Sequence, residues 1–157
     1  MNIRLIGIGK TIKSYLIEGE AEYEKRLLRY IKFEEIIIPE LKNASKLSEK
    51  EIKQKEGELI QNKLSSGDFV VLLDENGKMH SSEDFAHWIE NKQIYGTSKI
   101  TFIIGGAYGF SEEIYNRAQY QLSLSKMTFS HQMVRMIFKE QLYRAFSIIK
   151  GEPYHHS

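Results

Sequence analysis

Along this 157-residue chain, short β-branched apolar runs alternate with longer stretches whose apolar positions recur every three or four residues. "NIRLIGI" predicts a first strand, and residues 11–31 follow with Ile12, Tyr15, Leu16, Tyr23, Leu27, Tyr30 and Ile31 at helical spacing. "KFEEIIIPE" predicts a second strand, stopped by Pro39, which has no N–H for a ladder. Ser48 opens a helix through Ile52, Leu59, Ile60 and Leu64, with Glu51 as its capping-box partner, and Ser66-Gly67-Asp68 ends it.

The second half repeats the alternation. "FVVLLDENGK" reads as a strand buried on both faces and closed after Asp74 by a turn at Asn76-Gly77. Ser81 or Ser82 caps a helix through Phe85, Trp88 and Ile89. "KITFIIGGAYGF" runs from a buried strand into a glycine-rich turn, and Ser111 with Glu112 and Glu113 starts a short helix. "QYQLSLSKMTFS" is a weaker, alternating strand. The last helix spans about 131–150, with Val134, Ile137, Phe138, Gln141, Leu142, Ala145, Ile148 and Ile149 on its packed face. This order predicts one α/β domain over residues 1–157, its mainly parallel sheet flanked by helices. Ligands of such sheets bind beyond the carboxyl ends of the strands, here the turns after Leu73, Ile104 and Leu124.

Composition narrows the chemistry. With no cysteine, thiolate metal sites and disulfide scaffolds are excluded, and a cytoplasmic location is expected. Arg4 interrupts the first apolar run, and no stretch nears the roughly 18 apolar residues of a membrane span, so no membrane partner is expected. The five histidines fall at no metal-ligand spacing, so no metal is expected. The net charge of +1 is uneven: residues 125–157 carry Lys126, Arg135, Lys139, Arg144 and Lys150 against Glu140 and Glu152, or +3, leaving −2 before them. A basic segment attracts phosphate, although a difference this small is commonly a solvated helix face.

"GIGKTI" fails as a phosphate loop, because Arg4 occupies the first glycine position of a Walker motif and Ile12 the third of a dinucleotide fingerprint. No G-x-S-x-G is present. What survives is the turn of Gly105, Gly106 and Gly109, open to close approach by a ligand, and "LSLSKMTFS", whose backbone could pair with a base while its apolar side chains pack the ring. Each also reads as plain connector. Arg135 and Lys139 lie at i, i+4, a like-charge spacing that an external anion would compensate, whereas Glu140 and Arg144 can pair with each other.

"LLDENGKMHSSEDFA", "IIGGAYGF" and "LSLSKMTFSHQMVRMIFKEQLYRAFSIIKGEPYHHS" together resemble the ribosomal large-subunit pseudouridine N3-methyltransferases, a family of the trefoil-knotted SPOUT methyltransferases. The likeness covers the whole chain. It implies a C-terminal trefoil knot and S-adenosylmethionine bound there by Leu72, Leu73, Gly105, Gly106, Leu124, Ser125, Lys126, Met127, Thr128 and Phe129. It further implies a homodimer in which the tail of one subunit reaches the other's cofactor pocket, and the ribosome with its large-subunit rRNA as partner. On this reading Tyr154 and His155 are catalytic, while His131, Arg135, Lys139, Arg144 and His156 contact RNA. The chain departs from many relatives at Ser130, where they carry proline, and at His156, where they carry a basic residue. A SPOUT enzyme for another RNA such as tRNA, a non-catalytic ribosome-associated protein and a flavodoxin-like module are the alternatives.

Overall fold

A computed structural model describes residues 1–156; Ser157, the last residue of the tail, lies outside the described residues. The elements run β1 (Asn2–Ile8), α1 (Ser14–Leu27), β2 (Lys32–Ile38), a 3-10 turn (Ala44–Lys46), α2 (Glu49–Gln61), β3 (Phe69–Met79), α3 (Ser82–Ile94), β4 (Lys99–Ile104), α4 (Glu112–Arg117), β5 (Tyr120–Ser123) and α5 (His131–Ile149). The five strands pair in parallel in the order β2-β1-β4-β3-β5.

Strand alternation sends successive side chains to opposite faces. Ile3, Leu5, Val71 and Phe102 pack beneath Phe138, Leu142 and Phe146 of α5. Ile6, Val70, Leu72 and Ile103 pack on the other side with Ile60 of α2 and Ile114 of α4. The predicted caps form: Ser48 and Glu51 make the reciprocal capping box, and Ser81 and Ser111 each accept a backbone N–H from the third residue on, as does Ser130 before α5, a cap the sequence reading did not name.

Helices α1 and α2 stop at Leu27 and Gln61, short of the expected Ile31 and Leu64, and three further boundaries differ from the sequence expectation. Helix α1 begins at Ser14, because the amides of Ile12 and Lys13 donate to Gln132 Oε1 at 2.8 and 3.2 Å, which leaves Ile12 outside the helix and exposed. Strand β3 does not end at Asp74. Residues 74–77 bulge outward, and Lys78 and Met79 resume pairing with Leu122 and Ser123 of β5. Gly77 sits against that strand so closely that a Cβ there would lie 2.7 Å from the Gln121 carbonyl. The third difference is β5, only four residues long, because Leu124–Phe129 leave the sheet as a connector.

Candidate functional site

The carboxyl ends of β3, β4 and β5 open into one cleft of about 410 Å³. Leu73, Ile104, Leu124, Met127, Phe129 and Val134 give it an apolar side, and Asp74, Glu75, Asn76, Ser125 and Thr128 a polar one of nearly equal extent. Its rim is backbone, supplied by residues 105–109, where Gly109 has φ +83° and its N–H donates to the Gly106 carbonyl at 3.1 Å. Apolar walls with a few fixed polar groups are the usual construction of a small-molecule site.

Side-chain hydrogen bonds hold the connector over this cleft. Ser123 Oγ donates to the Ser125 carbonyl at 3.0 Å, and Ser125 Oγ accepts from Met127 N at 3.0 Å. Thr128 Oγ1 donates to Glu75 Oε2 at 3.1 Å, tying the connector to the β3 bulge. The Tyr115 hydroxyl donates to Asp74; burial, reinforced by that carboxylate, pushes the phenol up and keeps it protonated. Asp74, Glu75, Tyr108 and Tyr115 therefore belong to the site although sequence reading passed over them. The bulge that carries the two acids was hidden inside an apparent Asn-Gly turn.

Of the residues expected to hold a cofactor, Leu73, Gly105, Gly106, Leu124, Ser125, Met127, Thr128 and Phe129 line the cleft. Leu72 does not: it is fully buried in the opposite core, one residue out of phase with Leu73. Lys126 is exposed and lies off the lining. Among the described residues no group of histidine or carboxylate side chains could hold a metal ion.

The expected phosphate contacts need a larger correction. Lys139 is 1% exposed, and its Nζ lies 2.8, 2.8 and 3.0 Å from carboxylate oxygens of Glu20, Glu24 and Glu35. Burial alone lowers such an ammonium, yet the hydrogen bonds it donates to Glu20 and Glu24 carry it above its ordinary value, so it stays charged. Arg135 is also buried, donating through Nη2 to the Ile8 carbonyl at 2.7 Å and through Nη1 to Thr11 Oγ1 at 3.4 Å. Both cations face inward because α5 packs against α1, β2 and the segment at and after the end of β1, where their partners sit. Neither reaches an external phosphate. His131 stands exposed at the cleft mouth.

The tail folds back along α5. Tyr154 packs edge-on to Tyr143 with ring centres 4.6 Å apart and donates to Glu140 Oε1 at 3.0 Å. Burial, then Tyr23 and Glu140, push its phenol up and keep it neutral. Glu140 also binds Arg144, whose Nη1 lies 3.1 Å from His155 Nδ1, while His155 Nε2 lies 3.4 Å from Glu83. Tyr154, His155 and the exposed His156 are absent from the cleft of their own chain.

Comparison with known proteins agrees with this geometry. The family model described as "Predicted SPOUT methyltransferase" matches residues 1–155. The chain is 57% identical to the ribosomal RNA large subunit methyltransferase H of Christiangramia forsetii and 56% identical to that of Flavobacterium johnsoniae, over 99% of each chain. A probable methylase family protein of Haemophilus influenzae superposes with a TM-score of 0.54 at 13% identity, covering 99% of this chain and 70% of its own, and so shares the fold. With the family model and the relatives covering nearly all of the chain, it belongs to the SPOUT methyltransferases.

Proposed function

We propose that this chain transfers the methyl group of S-adenosylmethionine to N3 of a pseudouridine in large-subunit ribosomal RNA, acting as a cytoplasmic homodimer on the assembled ribosome. The cleft beyond β3, β4 and β5 carries the reading: its volume and its mix of apolar and polar lining suit an adenosine with a short polar-ended tail, and its glycine turn lets such a ligand approach the backbone. The names of the relatives at 57% and 56% identity support the RNA class.

Leu73, Ile104, Leu124, Met127 and Phe129 would pack the adenine, while the backbone of 105–109 and 124–128 would take its polar edges. The bound cofactor supplies an activated methyl electrophile. The chain's own task is to align a ring nitrogen with that methyl, exclude water and manage the proton that the nitrogen must lose. His155, positioned by Tyr154 and Arg144, either hydrogen-bonds the target base or takes its proton, in the partner's cleft rather than its own. With Arg135 and Lys139 turned inward, His131 and His156 are the exposed residues of the expected set left to meet RNA phosphates. A 157-residue chain folded as one sheet leaves recognition to the shape of a structured substrate. The trefoil knot implied by the resemblance belongs to this reading, and the Thr128–Glu75 hydrogen bond is where the connector meets the β3 bulge.

The test incubates the protein with methyl-labelled S-adenosylmethionine and ribosomes from a strain lacking the gene, then maps the label by mass spectrometry. Label on N3 of a large-subunit pseudouridine is the expected result. Binding of the cofactor with no ribosomal label, and label on tRNA instead, would transfer the reading to another RNA.

A further inference from the structure

A second cavity of about 350 Å³ adjoins the cleft, and Gly106, Ala107, Tyr108 and His131 line both. Its other walls come from Ile8 at the end of β1 and Lys10 after it, Glu40 and Leu41 after β2, Ala44 and Ser45 of the 3-10 turn, Ile52 and Glu56 of α2, and Gln132 and Arg135 of α5. Glu56 is its unusual member. The residue is 8% exposed, its Oε1 is sealed from solvent, and no hydrogen bond reaches that atom. The carboxyl lies against Gly106, where a Cβ would come within 2.5 Å of Oε1, so glycine there makes room for it. Burying a carboxyl without partners is costly, and ordinary folding gives no reason to retain one.

We propose that this second cavity receives the extruded target base, and that Glu56 accepts the proton of its imide N–H. The inference rests on the methyltransferase reading above and names the subsite that the reading needs. A uracil-type edge presents one N–H donor between two carbonyl acceptors. Glu56 supplies the acceptor through Oε2, the carboxylate oxygen that is not sealed. Donors for the carbonyls line the same cavity: Lys10, and Gln132, whose Oε1 is already taken by the amides of Ile12 and Lys13, so that its NH2 is left to donate. A phosphate fits poorly, because Glu40 and Glu56 offset Lys10 and Arg135. Gly106 puts the carboxyl at the wall shared with the cofactor cleft, where the ring nitrogen must meet the methyl. The proton passes from the nitrogen to Glu56, the freed nitrogen pair forms the N–CH3 bond, and the S–CH3 bonding pair stays on sulfur. His155 is then left the hydrogen bond.

Burial, with a smaller push from Glu40, raises the Glu56 carboxyl, which makes it a stronger base than a free glutamate. Lys10, Glu40, Tyr108, His131 and Arg135 are the ionisable groups that share the cavity with it. The sign for stability follows: a carboxyl raised in the fold favours the folded state below the ordinary glutamate range and withdraws that support as pH rises through its folded pKa.

Glu56→Gln tests the assignment through three readings. Expected are a fall in kcat of about a hundredfold or more on ribosomes, loss of the acid limb of the pH–rate profile, and partial rescue by Glu56→Asp. Calorimetry with S-adenosylmethionine should give an unchanged affinity, and Tm at neutral pH should hold or rise, because the variant removes a buried charge without breaking a hydrogen bond. Unchanged kcat with an unchanged pH profile would overturn the proposal, as would loss of cofactor affinity in step with activity, which would place the carboxyl on the cofactor. If the wild-type protein binds cofactor and labels no ribosomal RNA, the substrate reading fails and takes this one with it. A wild-type signal with an indifferent Glu56→Gln sinks the base assignment alone.

Discussion

Lys139 shows what a single residue's surroundings decide. At i, i+4 from Arg135 it looked like half of an anion clamp, but its three carboxylate partners lie 104 to 119 positions away in sequence, and only the packing of α5 on α1 and β2 brings them together. The like-charge spacing was legible; what neutralises it was not. Burial raises the Glu35 carboxyl, and the charges of Glu20 and Glu24 add to that, even though Lys139 pulls it down. Lys139→Met should therefore leave buried carboxylates uncompensated, at a cost of about 3–5 kcal/mol. For a chain of this size that is a fall in Tm of roughly 10 °C. Thermal melting checks the loss. Cofactor affinity of the folded variant should match wild type, since none of these four residues lines the cleft. A phosphate-binding lysine would instead leave Tm alone and flatten the salt dependence of ribosome binding.

Among the elements, the start of α5 and the end of β3 are the informative ones. Ser130 stands where many relatives of the resembled family carry proline, and the structure gives it work: at φ −62° and ψ 151° its Oγ accepts from Met133 N. Ser130→Ala should cost about 1 kcal/mol in denaturant melts. Ser130→Pro should lose the same cap but recover about 0.4–1 kcal/mol, because proline prefers this φ and has fewer unfolded states to lose. Gly77 makes the contrasting case. A Cβ there meets backbone of β5 at 2.7–2.8 Å, so Gly77→Ala must push β5 and the connector that follows it. Expected are about 1–3 kcal/mol of lost stability and weaker cofactor binding measured by calorimetry. The first four strands were readable from apolar, β-branched runs, β5 only weakly from its alternation, and the caps of α2, α3 and α4 from a serine. The course of β3 was not, because Asn76-Gly77 carries the chemistry of a turn and becomes a bulge only when β5 pairs on both sides of it.

At the scale of the whole molecule, the sequence placed the cleft correctly at three strand ends, since parallel sheets present their ligands there. It could not show that the tail stays clear of the cleft of its own chain. Tyr154 is fixed on Tyr143 and Glu140, and His155 sits between Arg144 and Glu83 on the flank formed by α3 and α5. If these residues act on the reaction, they do so across a two-fold axis, and each active site is then shared. Subunit mixing reads this out. A His155→Ala chain keeps its cleft and lacks a working tail; a Leu124→Arg chain keeps its tail and has a charge driven into the cleft. Each alone should be nearly inactive. Mixed in equal amounts under conditions that exchange subunits, half of the dimers are hybrids, and one of the two sites in each hybrid is intact. Activity should then recover to about a quarter of the wild-type value per site, the statistical limit for random pairing of a symmetric dimer. A tail that serves its own cleft would leave no intact site in any hybrid, and the mixture would be as inactive as its parts.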